Sequence, residues 1–284
     1  IDPLREVTEY LSLAKSSNSK IKYIFETHFH ADFISGHLTL SKKTNSPIIF
    51  GPKANPSFDC IIASDNQVFK IGDVSITVTH TPGHTLESTC FLLKDENGKP
   101  NAIFTGDTLF VGDVGRPDLS SGNMSSEDLA AIMYDTIQNK LLPLEDHIIV
   151  YPAHGPGSSC GKNMGPDTFS TIGDQKKTNY ALQPQSKEDF IKAVTNGLSA
   201  APVYFAVNAR INQMGYDDVN EVVEKGTAKL SINEFKSLSS NSDAIILDTR
   251  KATTFTEGFI PGSISIGLEG RFAEWAGNML SFDN

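Results

Sequence analysis

The chain has 284 residues, 39% of them hydrophobic and 20% charged, with a formal net charge of -10. That length and apolar content suit one large or two modest globular domains with a buried core. The acidic balance argues against nucleic acid or an anionic membrane as partner, and no apolar run approaches the roughly 18 residues of a membrane-spanning helix. Cys60, Cys90 and Cys160 are odd in number and irregular in spacing. They make no disulfide framework, so a reducing, cytoplasmic location is expected.

The chain opens on "IDPLREVTEY", without a methionine and in what reads as the end of a strand, and closes on "GNMLSFDN". Both ends read as cut, with an entry strand missing from the first. Short runs rich in Ile, Val, Phe and Thr then alternate with turn signals, and each predicts a strand. They are "IKYIFET" from Ile21, "SPIIFG" from Ser46, "VSITVTHT" from Val74, "CFLLK" from Cys90, "NAIFTGD" from Asn101 and "HIIVYPAHG" from His147. A helix is predicted from Ser125 or Ser126 to Pro143, with Leu129, Ile132, Met133 and Ile137 at helical spacing. A second begins at Ser186, with Asp189 three positions on as a capping partner and Gly197 as its stop. Residues 199–229 read as a mixed connector. "AIILDTR", "EGFIPGSISIG" and a helical "EGRFAEWAGNML" follow, as the opening half of another α/β unit.

Several strands end in polar clusters, where the loops of layered α/β folds converge on ligands. His28, His30, His84 and His154 stand at four such ends, joined by Asp32 and Asp107. Imidazoles and carboxylates gathered in this way point to a first-row metal. His37, His80 and His147 are read as ordinary core or surface histidines. In "FETHFHADF" the position that would complete a two-metal His-x-His-x-Asp-His motif is Phe33. Phenylalanine cannot coordinate, so the stretch argues for one metal rather than two.

"THFHADF", "TPGHT", "FTGDTLF" and "YPAHG", in that order, resemble the metallo-β-lactamase superfold over about residues 1–225. "GDVGRPDL" and "TFSTIGDQKKTNYAL" are similar to its persulfide dioxygenase branch, and within it to bacterial enzymes fused to rhodanese domains. The tail resembles the first half of a rhodanese domain through "LDTRKATTFTEGFIPGSISI". The resemblance implies an α/β fold, an αββα sandwich over 1–225 with a helical connector from about 184, followed by a partial rhodanese-like domain over 226–284. It implies one Fe(II) per chain, held by His28, His84 and Asp107, with His30, Asp32 and His154 around the metal or facing the substrate. A thiol persulfide such as glutathione persulfide, with O2 and water, would give sulfite and the free thiol. The expected partners are that persulfide and O2, and a homo-oligomer is allowed.

A two-histidine, one-carboxylate set leaves coordination positions open, as a dioxygenase needs. A zinc hydrolase needs a metal-bound water and often a second metal. The alternative is therefore a glyoxalase II-like thioester hydrolase, with zinc in place of iron; a scaffold with a purely structural site would need four closed ligands. Arg116 either anchors an anionic thiol carrier or forms a loop ion pair with Asp113 or Asp118. Cys160, six residues past His154, reads as an inert small residue rather than a sulfur carrier. Gly155 and Pro156 replace an acidic and an aromatic residue usual in related dioxygenases. No cysteine follows Cys160, and Phe259 stands where rhodanese domains usually have histidine.

Overall fold

The computed structural model describes residues 1–119, 124–240 and 244–280; the closing residues 281–284 lie outside them. Contacts divide the chain into two units. The first is Ile1–Ala201 with Phe205–Tyr216, and the second is Pro202–Tyr204 with the chain from Asp217 onward.

In the first unit, α1 (Thr8–Ser16) leads into β1 (Ile24–Glu26), α2 (His37–Thr44), β2 (Ile48–Phe50) and β3 (Ile61–Ile62). The three strands form a parallel sheet in that order. A second sheet holds β4 (Val68–Ile71), β5 (Val74–His80), β6 (Thr89–Lys94), β7 (Pro100–Gly106), β8 (Ile149–Pro152) and β9 (Ser170–Thr171), also in chain order. All its neighbours are antiparallel except β7 and β8. The β7–β8 register shifts between Phe104 and Gly106, where both strands leave the sheet toward the histidine loops.

The core explains the layering. Phe25 and Ile49 of the first sheet meet Phe69, Ile76, Val78 and Phe91 of the second in one apolar cluster. On the far side of the first sheet, Ile24, Ile48 and Phe50 pack with Val7 and Leu40, beneath α1 and α2. On the far side of the second, Cys90, Ile103 and Val150 pack against helices carrying Ala130, Met133, Phe190 and Val194. Successive strand residues face opposite sides, so each sheet is apolar on both. The order is helix, sheet, sheet, helix, and each large side chain so buried contributes about 1.5–3 kcal/mol.

The first of those helices, α3 (Ser126–Thr136), is capped by Ser125 in a capping box with Asp128, and runs on as a π-helical turn over Ile137–Leu141. After α4 (Ile172–Thr178) comes α5 (Lys187–Thr195), where the Ser186 side chain accepts from the Asp189 N–H. This helix stops at Asn196, before Gly197 at φ 71°. Within the helical connector expected from about 184, the stretch 199–229 is more regular than a mixed connector. It contains α6 (Tyr204–Met214), whose Asn212 is buried. Residues 1–7 contain no strand; the Asp2 N–H donates to the Phe25 carbonyl at 2.8 Å.

In the second unit come α7 (Val219–Gly226), α8 (Ile232–Ser239), β10 (Leu247–Asp248), α9 (Ala252–Glu257), β11 (Ile264–Ser265) and α10 (Phe272–Met279). β10 and β11 pair in parallel. The expected strand "AIILDTR" is regular only at Leu247–Asp248. Among the described residues from Asp217 onward, Ile266 alone is buried. No described helix is long and apolar enough to cross a membrane.

Candidate metal centre

The site lies beyond the C-terminal ends of β1, β5, β7 and β8. His28 follows β1, His84 sits in the loop from β5 to β6, Asp107 follows β7 and His154 follows β8. Ligand atoms of His28, His84 and Asp107 all lie within 4.8 Å of one another, and all three residues are buried. The Nε2 atoms of His28 and His84 are 3.8 and 3.5 Å from Asp107 Oδ2.

The ring orientations follow from hydrogen bonds on the opposite nitrogens. His84 Nδ1 donates to the Arg116 carbonyl at 2.8 Å. Thr27 Oγ1 donates to Asp2 Oδ2 at 2.9 Å and so accepts from His28 Nδ1, 3.0 Å away. Both rings then carry a proton on Nδ1 and turn Nε2 toward Asp107, the orientation metal-binding histidines use. Burial, reinforced by His30, His84 and His154, holds His28 well below the ordinary imidazole range, so the ring is neutral. Two close approaches depend on glycine. A Cβ on Gly106 (φ 51°) would come 2.5 Å from Thr27 Oγ1. One on Gly115 would sit 2.1 Å from the Asp107 carbonyl oxygen and 2.9 Å from His84 Nδ1.

Both carboxylate oxygens of Asp107 are buried without a hydrogen-bond partner among the described residues. An ionised carboxylate in that position is costly unless a cation completes it. Two imidazoles and one carboxylate so placed fit a first-row divalent ion.

His30 has a different role. Its Nε2 lies 3.1 Å from Asp2 Oδ1 and 3.6 Å from Glu26 Oε2, on the other side of the same loop. Burial would lower its pKa, but the charges of Asp2, Glu26 and Asp32 outweigh this and raise it to about 10. Burial, then the charge of Asp2, raises Glu26 to about 8. Asp2 is lowered, because His30 and the Thr27 N–H outweigh its own burial. Asn212 of α6 fixes this loop by donating to the carbonyls of His30 and Phe33, at 2.8 Å each, and accepting from the Ser35 N–H at 2.9 Å.

Asp32 and His154 pair at 3.4 Å and line a cavity of about 530 Å³ together with His30, Phe33, Phe104 and Tyr151. The Phe33 ring packs against His30, 4.5 Å between centroids and tilted by 39°. Arg116 is buried, and its guanidinium grips Asp118 through two hydrogen bonds of 2.7 Å and reaches the Ser159 and Ser199 carbonyls. Of the two acids named for a loop ion pair, Asp118 forms it. Asp113 instead accepts from the backbone of Val114, Lys162 and Asn163. His37, His80 and His147 stay outside the group: His37 faces Glu26 at 3.6 Å, His80 contacts the Leu86 carbonyl and His147 pairs with Glu145.

No protein-family model matches the chain. A hydroxyacylglutathione hydrolase of Dictyostelium discoideum is 34% identical over 218 residues, 75% of each protein. A metallo-β-lactamase structure from Staphylococcus aureus matches with a TM-score of 0.83 and 32% identity, over 100% of this chain and 80% of that one. This chain belongs to the metallo-β-lactamase superfamily. ETHE1 from Myxococcus xanthus shares 26% identity at a TM-score of 0.63, over 75% of this chain and 85% of its own. A probable hydroxyacylglutathione hydrolase of Schizosaccharomyces pombe is 33% identical over 140 residues, and the match spans 50% of that relative.

Within this metallo-β-lactamase fold, three residues of the site escaped the sequence reading: Asp2, Glu26 and Asn212. Glu26 left a signal, an acid inside the otherwise apolar "YIFE". A buried strand acid requires a partner. Asp2 and Asn212 carried none, because their partners are 25 and 182 positions away.

Proposed function

We propose that the chain oxidises a low-molecular-weight thiol persulfide with O2 and water to sulfite and the free thiol. The observation that supports this is the buried set of His28, His84 and Asp107, with one carboxylate and two oriented imidazoles. An Fe(II) held there would supply the redox chemistry that lets O2 react with sulfur. The chain's own contribution is placement. Thr27 and Arg116 fix the two rings, while Phe33 gives the pocket an apolar wall and takes from a second metal its usual imidazole. His30, Asp32 and His154 line the cavity through which the substrate approaches, and His154 Nε2, 3.4 Å from Asp32, is placed to hold a proton for the departing thiol.

A second reading, metal-dependent hydrolysis of a hydroxyacylglutathione thioester, is favoured by the relatives. Hydroxyacylglutathione hydrolases weigh more among them than the likeness to ETHE1 does. One preparation separates the two. Bound metal is measured, then O2 uptake with glutathione persulfide and cleavage of a hydroxyacylglutathione thioester. Iron with O2 uptake supports the oxidation; zinc with fast thioester cleavage and no O2 uptake sinks it. The boundary at 225/226 and the rhodanese-like character of 226–284 belong to the same proposal and rest on the sequence resemblance, and a cytoplasmic setting rests on the irregular cysteines.

A further inference from the structure

Between His28 and Ser35 the chain is neither helix nor strand, so its backbone groups need partners from elsewhere. The Phe29 N–H donates to Glu87 Oε1 at 3.2 Å. Among the described residues, the other backbone bonds of this segment come from the end of α6 and the turn after it. Asn212 Nδ2 donates to the carbonyls of His30 and Phe33, at 2.8 Å each, and Asn212 Oδ1 accepts from the Ser35 N–H at 2.9 Å. The Tyr216 hydroxyl donates to the Ser35 carbonyl and accepts from the Leu38 N–H at 3.1 Å.

His30 and Phe33 are the two ends of a four-residue turn. One amide group holding both carbonyls brackets Asp32 and Phe33 between them. Asp32 faces His154 at 3.4 Å, and Asp32 and Phe33 both line the cavity. His28 lies two residues before the bracket. The ordinary explanation is that Asn212, 1% exposed, merely fastens α6 to the sandwich. The helix has a separate fastening for that. Gln213 Nε2 donates to the Asn55 carbonyl at 3.1 Å, and the Ser57 N–H donates to the Gln213 carbonyl at 2.9 Å. Asn212 instead spends both its amide hydrogens and its carbonyl on a single segment. An apolar residue there would leave three backbone groups of that segment unpaired.

We propose that Asn212, with Tyr216 behind it, is a positioning residue for the metal centre: it sets the His30–Phe33 turn, and through that turn His28, Asp32 and the Phe33 wall. The end of α6 is then part of the site, although it lies 182 positions along the chain from His30. A site of this kind works only when its supporting contacts hold the geometry closely. The proposal rests on the metal centre of His28, His84 and Asp107, and it is the same whether that centre oxidises persulfides or hydrolyses thioesters.

The test uses the metal-depleted full chain and reads two quantities: hydrogen exchange of residues 29–36 by mass spectrometry, and Co2+ affinity by equilibrium dialysis. Asn212→Ala should exchange that segment faster and bind Co2+ at least about 10-fold more weakly, the scale of losing an outer partner. Asn212→Asp keeps the acceptor for Ser35 but sets a carboxylate oxygen against two carbonyls, so it should fail as alanine does; wild-type affinity in Asn212→Asp overturns the bracket. Val194→Ala, in the buried face of α5, is the structural control. It should lower stability in urea and leave both readings unchanged. Equal loss of affinity in Val194→Ala, or unchanged exchange of 29–36 in Asn212→Ala, overturns the positioning role. If Asn212→Ala does not fold, Tyr216→Phe serves, because it removes the hydroxyl and keeps the ring beneath the Arg5 guanidinium. The same two changes are expected, and their absence overturns the proposal. A wild type that binds no Co2+ removes the metal centre and this role with it. Normal wild-type binding with an unaffected Asn212→Ala overturns this role alone, so the two failures are distinct.

Discussion

Two buried clusters share the Phe25–Phe33 segment and use the same residue types. One holds His28, His84 and Asp107; the other holds His30, Asp2 and Glu26. In the first, outside donors and acceptors fix the rings and leave bare nitrogens facing an unpartnered carboxylate. In the second, a charged imidazole lies between two acids, one of which stays protonated near neutrality. The first set leaves a buried carboxylate that a cation would satisfy, whereas the second pairs its acids with its own imidazole. Composition and burial are alike, so the proton inventory separates a metal site from a structural ion-pair network.

The comparison can be broken experimentally. The largest effect is expected for His84→Ala, which should lose bound metal and reduce turnover by more than the roughly 10–100-fold typical of losing an outer partner. Retention of full metal occupancy, measured by elemental analysis, would remove His84 from the ligand set. His30→Ala should behave oppositely. It leaves Asp2 and Glu26 buried without their cation, which costs about 3–5 kcal/mol in urea unfolding, with metal still bound. Loss of metal without loss of stability would make His30 a ligand.

Thr27→Val removes the hydroxyl that orients His28 and leaves the His30 pair in place. Metal affinity should fall about 10–100-fold, with recovery in Thr27→Ser; equal affinity for all three proteins would contradict the relay. A further effect concerns pH. Burial, then the charge of His30, lowers His37 from 6.5 to about 3. The unfolded chain takes up this proton near 6.5 and the folded chain only near 3. The contribution is therefore complete above 6.5 and is lost as pH falls toward 3, by up to about 1.4 kcal/mol per pH unit. His37→Phe should flatten that part of the stability profile, and superimposable profiles would refute the assignment.

The long strands were legible because β5, β6 and β7 carry runs of β-branched and aromatic residues bounded by turns. β3 and β9 have two residues each and offer no period to detect. β4, "VFKI", is short, with only Phe69 buried. The helix α6 lay within the stretch read as a mixed connector; its Asn212 points into the His30–Ser35 loop and makes three hydrogen bonds there. In the second unit the amphipathic pattern of "EGRFAEWAGNML" did predict a helix, yet Trp275 remains 59% exposed. Periodicity reports a helix face, not what that face packs against.

By itself the sequence determined the chemistry on offer: histidines and aspartates at successive strand ends, one phenylalanine where an imidazole would complete a two-metal motif, and a lone cysteine nearby. Those are matters of residue type and short spacing. Only the tertiary structure decided which nitrogen of each ring is bare and which carboxylate lacks a donor. Those states depend on Asp2 meeting Thr27, the Arg116 carbonyl meeting His84 and Asn212 meeting His30, across 25, 32 and 182 positions of chain. A protonation state is set by everything within a few ångströms, and neighbours in space are fixed by the packing of the sheets rather than by their order in the chain.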